Sequence, residues 1–193
     1  MPELEQNCLK SWDYYLPDYK KVLWDENSFD VYSNPYTREA YLCKKYAFVS
    51  DYVRLYALYH DGGVYMDTDV EIIKNINGFL EYPAFSGFEN PYYIQTALMG
   101  AAPGHPWIKR ALDHYKDKTF MKDGTMDMMP NVVFMTELLE QEFGLKKGNG
   151  QQVLKDDIHI FSNDWFCPKV FHTKEIILTE NSHAIHHFAA SWF

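Results

Sequence analysis

The stretch Gly62-Gly63-Val64-Tyr65-Met66-Asp67-Thr68-Asp69-Val70 constrains this chain more than any other. Apolar positions at helical spacing lead up to it through Tyr52, Leu55, Leu58 and Tyr59. The two glycines stop that helix, because glycine takes the left-handed backbone past a helix C-terminus without a Cβ penalty. Behind them a short β-type run, residues 64–66, enters two carboxylates, and residues 70–73 continue extended. In α/β architectures ligands gather outside the carboxyl ends of strands. Asp67 and Asp69 therefore stand where a ligand would be.

The rest of the chain fits that architecture. Leu4, Cys8, Leu9, Trp12 and Leu16 share one helical face, and Pro17-Asp18 ends the helix with turn chemistry. Residues 21–24 read as a short strand. Asn34 before Pro35 is a helix start, a capping residue followed by a proline in the first turn. The pattern from residue 35 to 60 predicts two helices or one bent one. Strands are expected at residues 84–88, 96–101, 158–161 and 176–178, and helices from Gly104-His105-Pro106 to about Tyr115 and over residues 132–143. Residues 116–129, polar and Met-rich, are expected to be the most mobile. The expectation is a single domain over residues 1–193.

A chain of 193 residues can bury one real core. Fifteen Tyr, thirteen Phe and five Trp supply flat surfaces that fill cores and stack on bases or sugars. A formal charge of −9 with no basic stripe excludes nucleic acid as the expected partner. An acidic chain that handles a phosphorylated substrate needs local positive charge from a metal, an arginine or a helix N-terminus. Cys8, Cys43 and Cys167 lack metal-site or disulfide spacing, no secretion signal is visible, and no apolar stretch reaches the roughly 20 residues of a membrane span. The expected location is cytoplasmic, with a peripheral place at the inner face of the membrane open.

The chemistry centres on carboxylates. Asp51 and Arg54, three apart on a helix, share a face. Asp-x-Asp at a bent strand end lets two carboxylates converge on one hard cation, and Mg²⁺ and Mn²⁺ favour such oxygen ligands together with substrate phosphates. A metal there would offset charge on a departing diphosphate. Arg54 either adds a second positive contact or orients Asp51 toward a sugar or ribose hydroxyl. By itself Asp-x-Asp is common in acidic loops, and the order of the whole block gives it weight.

That order resembles the DXD-containing sugar-binding region of glycosyltransferase family 32, which includes bacterial capsule- and lipopolysaccharide-type transferases and is related to the glucosyltransferase domains of clostridial toxins. The resemblance is carried by Cys8 to Trp12 with Leu16-Pro17-Asp18-Tyr19 and Leu23-Trp24, by Ala47 to Asp51 with Arg54, Leu58, Gly62, Gly63, Tyr65, Asp67 and Asp69, and by Ile185-His186-His187-Phe188-Ala189-Ala190-Ser191-Trp192. It implies a GT-A type fold, a Rossmann-like sandwich with a mixed, mostly parallel sheet flanked by helices. It implies a nucleotide-diphospho-sugar donor, with a UDP-sugar expected, a divalent metal (Mn²⁺ or Mg²⁺), and transfer with retention to a glycan or lipid-linked acceptor in cell-surface polysaccharide synthesis. Carried over, Asp51, Arg54, Tyr65 and Asp67 contact the donor, Asp67 and Asp69 hold the metal, and Ser191 and Trp192 close over the diphosphate, Trp192 acting in catalysis. His187, or else His186, joins the metal, since a strand alternates its side chains and directs one of the pair inward.

Family members also begin with a strand of the type Ile-Pro-Lys-Ile-Ile-His, which has no counterpart ahead of residue 4. Truncation, a natural remnant and a partner-supplied strand are all open explanations, and base binding is the part they affect. Two other functions compete with transfer: a non-catalytic module that binds nucleotide, metal or glycan, and a phosphohydrolase, for which the second carboxylate cluster of a two-metal site is missing.

Overall fold

The computed structural model describes residues 1–189. In chain order its elements are α1 (Glu3–Tyr15), α2 (Pro35–Leu42), α3 (Tyr46–His60), β1 (Gly63–Met66), β2 (Val70–Ile72), β3 (Ala84–Asn90), β4 (Tyr93–Ile94), β5 (Leu98–Ala101), α4 (Pro106–Asp113), β6 (Met121–Lys122), β7 (Thr125–Met126), α5 (Asn131–Leu138), β8 (Gln152–Leu154), β9 (Ile158–Phe161), α6 (Asn163–Phe166) and β10 (Ala184–His186). The helix starts follow the local chemistry. Asn34 Oδ1 accepts from the Tyr36 N–H at 2.8 Å, and His105 Nδ1 accepts from the Trp107 N–H at 3.2 Å, each just before a proline in the first turn.

The main sheet runs β1-β5-β3-β9-β8, with β4 beside β3. It is mixed and flanked by helices, as expected, but the expected predominance of parallel pairs is not found. Among the described residues β3 and β9 form the one parallel pair, from Ala84↔Ile158 to Gly87↔Phe161, and the other pairs are antiparallel. Connection length explains this. The turns joining β3, β4 and β5 are too short to cross the sheet, whereas the long excursion through α4 and α5 returns the chain parallel to β3.

Strand alternation divides the interior into two layers. Ala84, Phe88, Met99, Ile158 and Ile160 pack with α3, α4 and α5, around Trp107 and Phe120. Phe85, Leu98 and Phe161 face the other way, onto Phe79, Phe166, Val70, Ile72 and Ala184. The second layer depends on Gly100: a Cβ there would lie 2.0 Å from the Phe85 ring, which crosses the strand at that point.

Two expected strands are not formed. Residues 21–24 run without a hydrogen-bonded strand partner, and residues 176–178 are reduced to a single bridge, Lys169↔Ile176. β-propensity alone does not make a strand; a paired neighbour does. The stretch expected to be most mobile contains the β6–β7 hairpin. It is tied down by the buried Phe120, by the Met121 N–H donating to Glu39 at 2.8 Å, and by a Lys118–Asp127 pair at 3.1 Å.

Candidate active site

The candidate site forms where α3, β1 and the β2–β10 ribbon meet, along an open cleft of about 1960 Å³. The helix before it ends as expected: Gly62 and Gly63 have φ of +68° and +92°. A Cβ on Gly62 would also strike Pro103 at 2.5 Å, so glycine is required there on two counts. Beyond β1 the chain does not stay extended. The Val70 N–H donates to the Asp67 carbonyl at 3.0 Å, closing a tight turn over Asp67-Thr68-Asp69. The turn draws round two carboxylates that a straight strand would hold apart.

Behind Asp67 lies a buried charged group. Arg54 Nη2 donates to Asp51 Oδ1 at 2.9 Å and stands 3.5 Å from Asp67 Oδ1. Nη1 donates to the Thr96 carbonyl at 2.7 Å, and Nε to the Ser50 carbonyl at 3.3 Å. The guanidinium lies 4.7 Å from the centre of the Tyr65 ring, whose hydroxyl donates to Asp67 Oδ1 at 2.5 Å. Burial pushes the Tyr65 hydroxyl well above its ordinary value, so it remains a donor. Burial also pushes Asp51 up to about 7, against the pull of Arg54. Burial disfavours the charge on Arg54, but Asp67, Tyr65 and Asp51 outweigh it and hold the guanidinium protonated. One oxygen of Asp67 is thus fixed by Tyr65 and faces Arg54.

Asp69 is held from the other side. β10 pairs with β2 in the register His186↔Val70, which carries the chain end across the turn. The His187 N–H donates to the Asp69 carbonyl at 3.0 Å, and the Ala189 N–H donates to Asp69 Oδ2 at 2.8 Å. His186 Nε2 lies 3.5 Å from the same oxygen. Burial opposes ionisation of Asp69, but the neighbouring His186 ring and the Ala189 N–H outweigh it and hold the carboxyl below its ordinary value. Asp67, Asp69 and His186 each present a ligand atom within 4.8 Å of the others.

The structure therefore brings together Asp51, Arg54, Tyr65, Asp67 and Asp69 as the sequence suggests, and it selects between the paired histidines. His187, expected at the metal, is turned away: its Nε2 meets Glu71 Oε2 at 2.8 Å and its Nδ1 lies 3.4 Å from Lys169 Nζ. Alternation along β10 allows one of the two to face Asp69, and the register with β2 makes it His186. Ser191 and Trp192 lie outside the described residues. Sequence reasoning missed Glu71, which holds His187, and Glu89, a cleft residue whose carboxyl burial pushes up against the opposing influence of His186. A single acid in a strand gives no local signal that it faces a histidine a hundred residues away.

Residues 2–86 match the family model described as the glycosyltransferase sugar-binding region containing a DXD motif. Residues 2–86, under half of the chain, are thus similar to a DXD glycosyltransferase region. Within it, Asp67-Thr68-Asp69 is the Asp-x-Asp sequence. Over 146 residues the chain is 30% identical to the mannosyl phosphorylinositol ceramide synthase SUR1 of Saccharomyces cerevisiae, covering 72% of this chain and 37% of that protein. Over 112 residues it is 34% identical to inositol phosphoceramide mannosyltransferase 3 of Schizosaccharomyces pombe, covering 56% of this chain and 32% of the relative. The chain spans about a third of the length of these curated relatives. Among solved structures it shares the fold of the PaToxG glycosyltransferase, with a TM-score of 0.52 at 16% identity over 74% of this chain and 64% of that one. No helix among the described residues is long and apolar enough to cross a membrane.

Proposed function

We propose that this chain is the donor-binding and catalytic region of a metal-dependent glycosyltransferase that passes a sugar from a nucleotide-diphospho-sugar to a lipid-linked acceptor. The observation that carries the reading is the meeting of Asp67, Asp69 and His186 at one point of the cleft, inside a matched DXD region and backed by Arg54. The donor set fits a divalent metal. Two carboxylates suit Mn²⁺ or Mg²⁺, the added imidazole favours Mn²⁺ of the two, and the Nδ1 of His186 is buried with no partner among the described residues. When bound, such an ion supplies positive charge against a leaving diphosphate.

The chain's own residues do the rest. Tyr65 fixes one oxygen of Asp67, which also faces Arg54, and Asp67 lines the cleft. Asp51, held by Arg54, presents an acceptor for a donor hydroxyl. Ser191 and Trp192 retain their proposed place over the diphosphate, and transfer with retention remains part of this reading. The names of the relatives point the acceptor toward an inositol phosphoceramide and the sugar toward mannose, in place of the capsular glycan that the sequence resemblance implied.

The test is hydrolysis of UDP- and GDP-sugars with Mn²⁺, followed by transfer to inositol phosphoceramide in detergent. Asp69→Asn is expected to lower Mn²⁺-dependent turnover by about a hundredfold or more, the scale of losing a main electrostatic contributor. Full metal-dependent activity in Asp69→Asn would defeat the assignment. Binding of nucleotide and Mn²⁺ with no turnover of any donor would make the chain a binding module instead.

A further inference from the structure

Residues 168–178 form a feature whose inner side borders the donor cleft and whose outer side the donor site does not use. The chain leaves the buried Cys167 and Pro168, reverses direction and returns, closed by the Val170 N–H to Glu175 carbonyl bond at 2.8 Å, the Ile177 N–H to Pro168 carbonyl bond at 3.0 Å and the Lys169↔Ile176 bridge. Its tip turns through Lys174 at φ +60°, whose N–H donates to the Val170 carbonyl at 2.8 Å. The base is fixed, because Asp164 accepts from Thr179 Oγ1 at 2.8 Å and from Asn181 Nδ2 at 3.1 Å just beyond it. This is a braced finger, and yet it is apolar outside: Phe171 is 39% exposed, Ile177 54% and Leu178 55%.

Contiguous exposed apolar side chains on a braced support mark a contact surface. The charges say of what kind. The chain as a whole carries −9, but the finger carries Lys169, His172 and Lys174 against Glu175. Lys174 Nζ lies 4.4 Å from the centre of the Phe171 ring, which itself packs on Phe188 at 5.2 Å. An exposed aromatic and aliphatic surface with amines beside it suits the boundary between acyl chains and anionic head groups, where apolar groups enter and the amines remain with the phosphates. The inner side of the finger, Lys169 to His172, lines the donor cleft.

We propose that this finger docks the chain on an anionic lipid bilayer, placing the cleft at the surface that holds a lipid-linked acceptor. The inference deepens the reading given above by naming where that reaction takes place.

The test is sedimentation of the full chain with sucrose-loaded vesicles of phosphatidylcholine alone and of phosphatidylcholine with phosphatidylserine. The wild type is expected to sediment with the mixed vesicles, less with the neutral ones, and less as salt rises. Ile177→Ser with Leu178→Ser, both exposed and neither lining the cleft, is expected to weaken vesicle binding about tenfold or more, with an unchanged circular dichroism spectrum. Lys174→Glu is expected to weaken it by about fivefold or more. A wild type that stays in the supernatant with both vesicle types, or a serine double variant that sediments like the wild type, would overturn the proposal. Donor hydrolysis in vesicle-free solution separates the two readings. Unchanged hydrolysis by the serine double variant together with lost vesicle binding supports both, whereas vesicle binding by a wild type that hydrolyses no donor sinks the transferase reading alone.

Discussion

Arg54 stands 2.9 Å from Asp51 and 3.5 Å from Asp67 in a buried setting, so alanine in its place leaves two carboxylates facing each other without a cation. Breaking a buried pair in this way costs about 3–5 kcal/mol. Asp51, already pushed up to about 7, takes up a proton when Arg54 is lost, which keeps the cost toward the lower end. A urea midpoint unchanged from the wild type would show that the charged group is not structural. The two histidines make a sharper comparison. His186→Ala is expected to weaken Mn²⁺ binding about tenfold or more by calorimetry. His187→Ala leaves the three grouped ligands in place and should stay near the wild-type affinity. The reverse order would return the metal role to His187.

At the scale of elements, the site depends on the β2–β10 ribbon, and the ribbon depends on Asp164. Its carboxyl accepts from Ser162, Thr179 and Asn181, and its backbone carbonyl accepts from Ser182 Oγ at 2.7 Å. Partial burial opposes the ionised form, but these hydrogen bonds outweigh it and hold the carboxyl below its ordinary value. A lowered folded value fixes the sign: the contribution is fully present above the unfolded value of about 4 and is lost as pH falls through the folded one. Acid is therefore expected to loosen residues 179–187, and hydrogen exchange should show the β10 amides opening ahead of β3 and β9. Asp164→Ala should produce the same loosening at neutral pH, at a cost of about 1.5–3 kcal/mol, and should weaken Mn²⁺ binding by releasing His186. Uniform exchange across β10 and β3 in the variant would refute the link. The helices and their caps were legible in the sequence because they are local: Asn34 before Pro35, His105 before Pro106 and the paired glycines act within a turn or two. Residues 21–24 and 176–178 do not form the strands expected of them for the opposite reason, since strand formation waits on a neighbour supplied from elsewhere.

Over the whole molecule, the site is a junction of parts distant in sequence: Asp51 and Arg54 on α3, Asp67 and Asp69 after β1, and His186 on β10. An ion held by groups from such separate elements binds the folded chain and not the unfolded one, so it stabilises by mass action. Mn²⁺ at about 100 times its Kd is expected to add roughly 2.7 kcal/mol and to raise the melting temperature measurably. Asp69→Asn should show no such rise, and a rise equal to the wild type's would place the ion elsewhere.

The amino-acid sequence by itself determined the α/β class, the glycine-stopped helix leading to Asp67 and Asp69, and the pairing of Asp51 with Arg54. Each of these rests on spacing within a helix, strand or turn. The tertiary structure decided that β3 and β9 make the parallel pair, that Asp67 is held by both Tyr65 and Arg54, and that His186 faces Asp69 while His187 goes to Glu71. Those outcomes turn on strand register, where a slip of one residue exchanges the two faces, and register is set by partners that no local pattern contains.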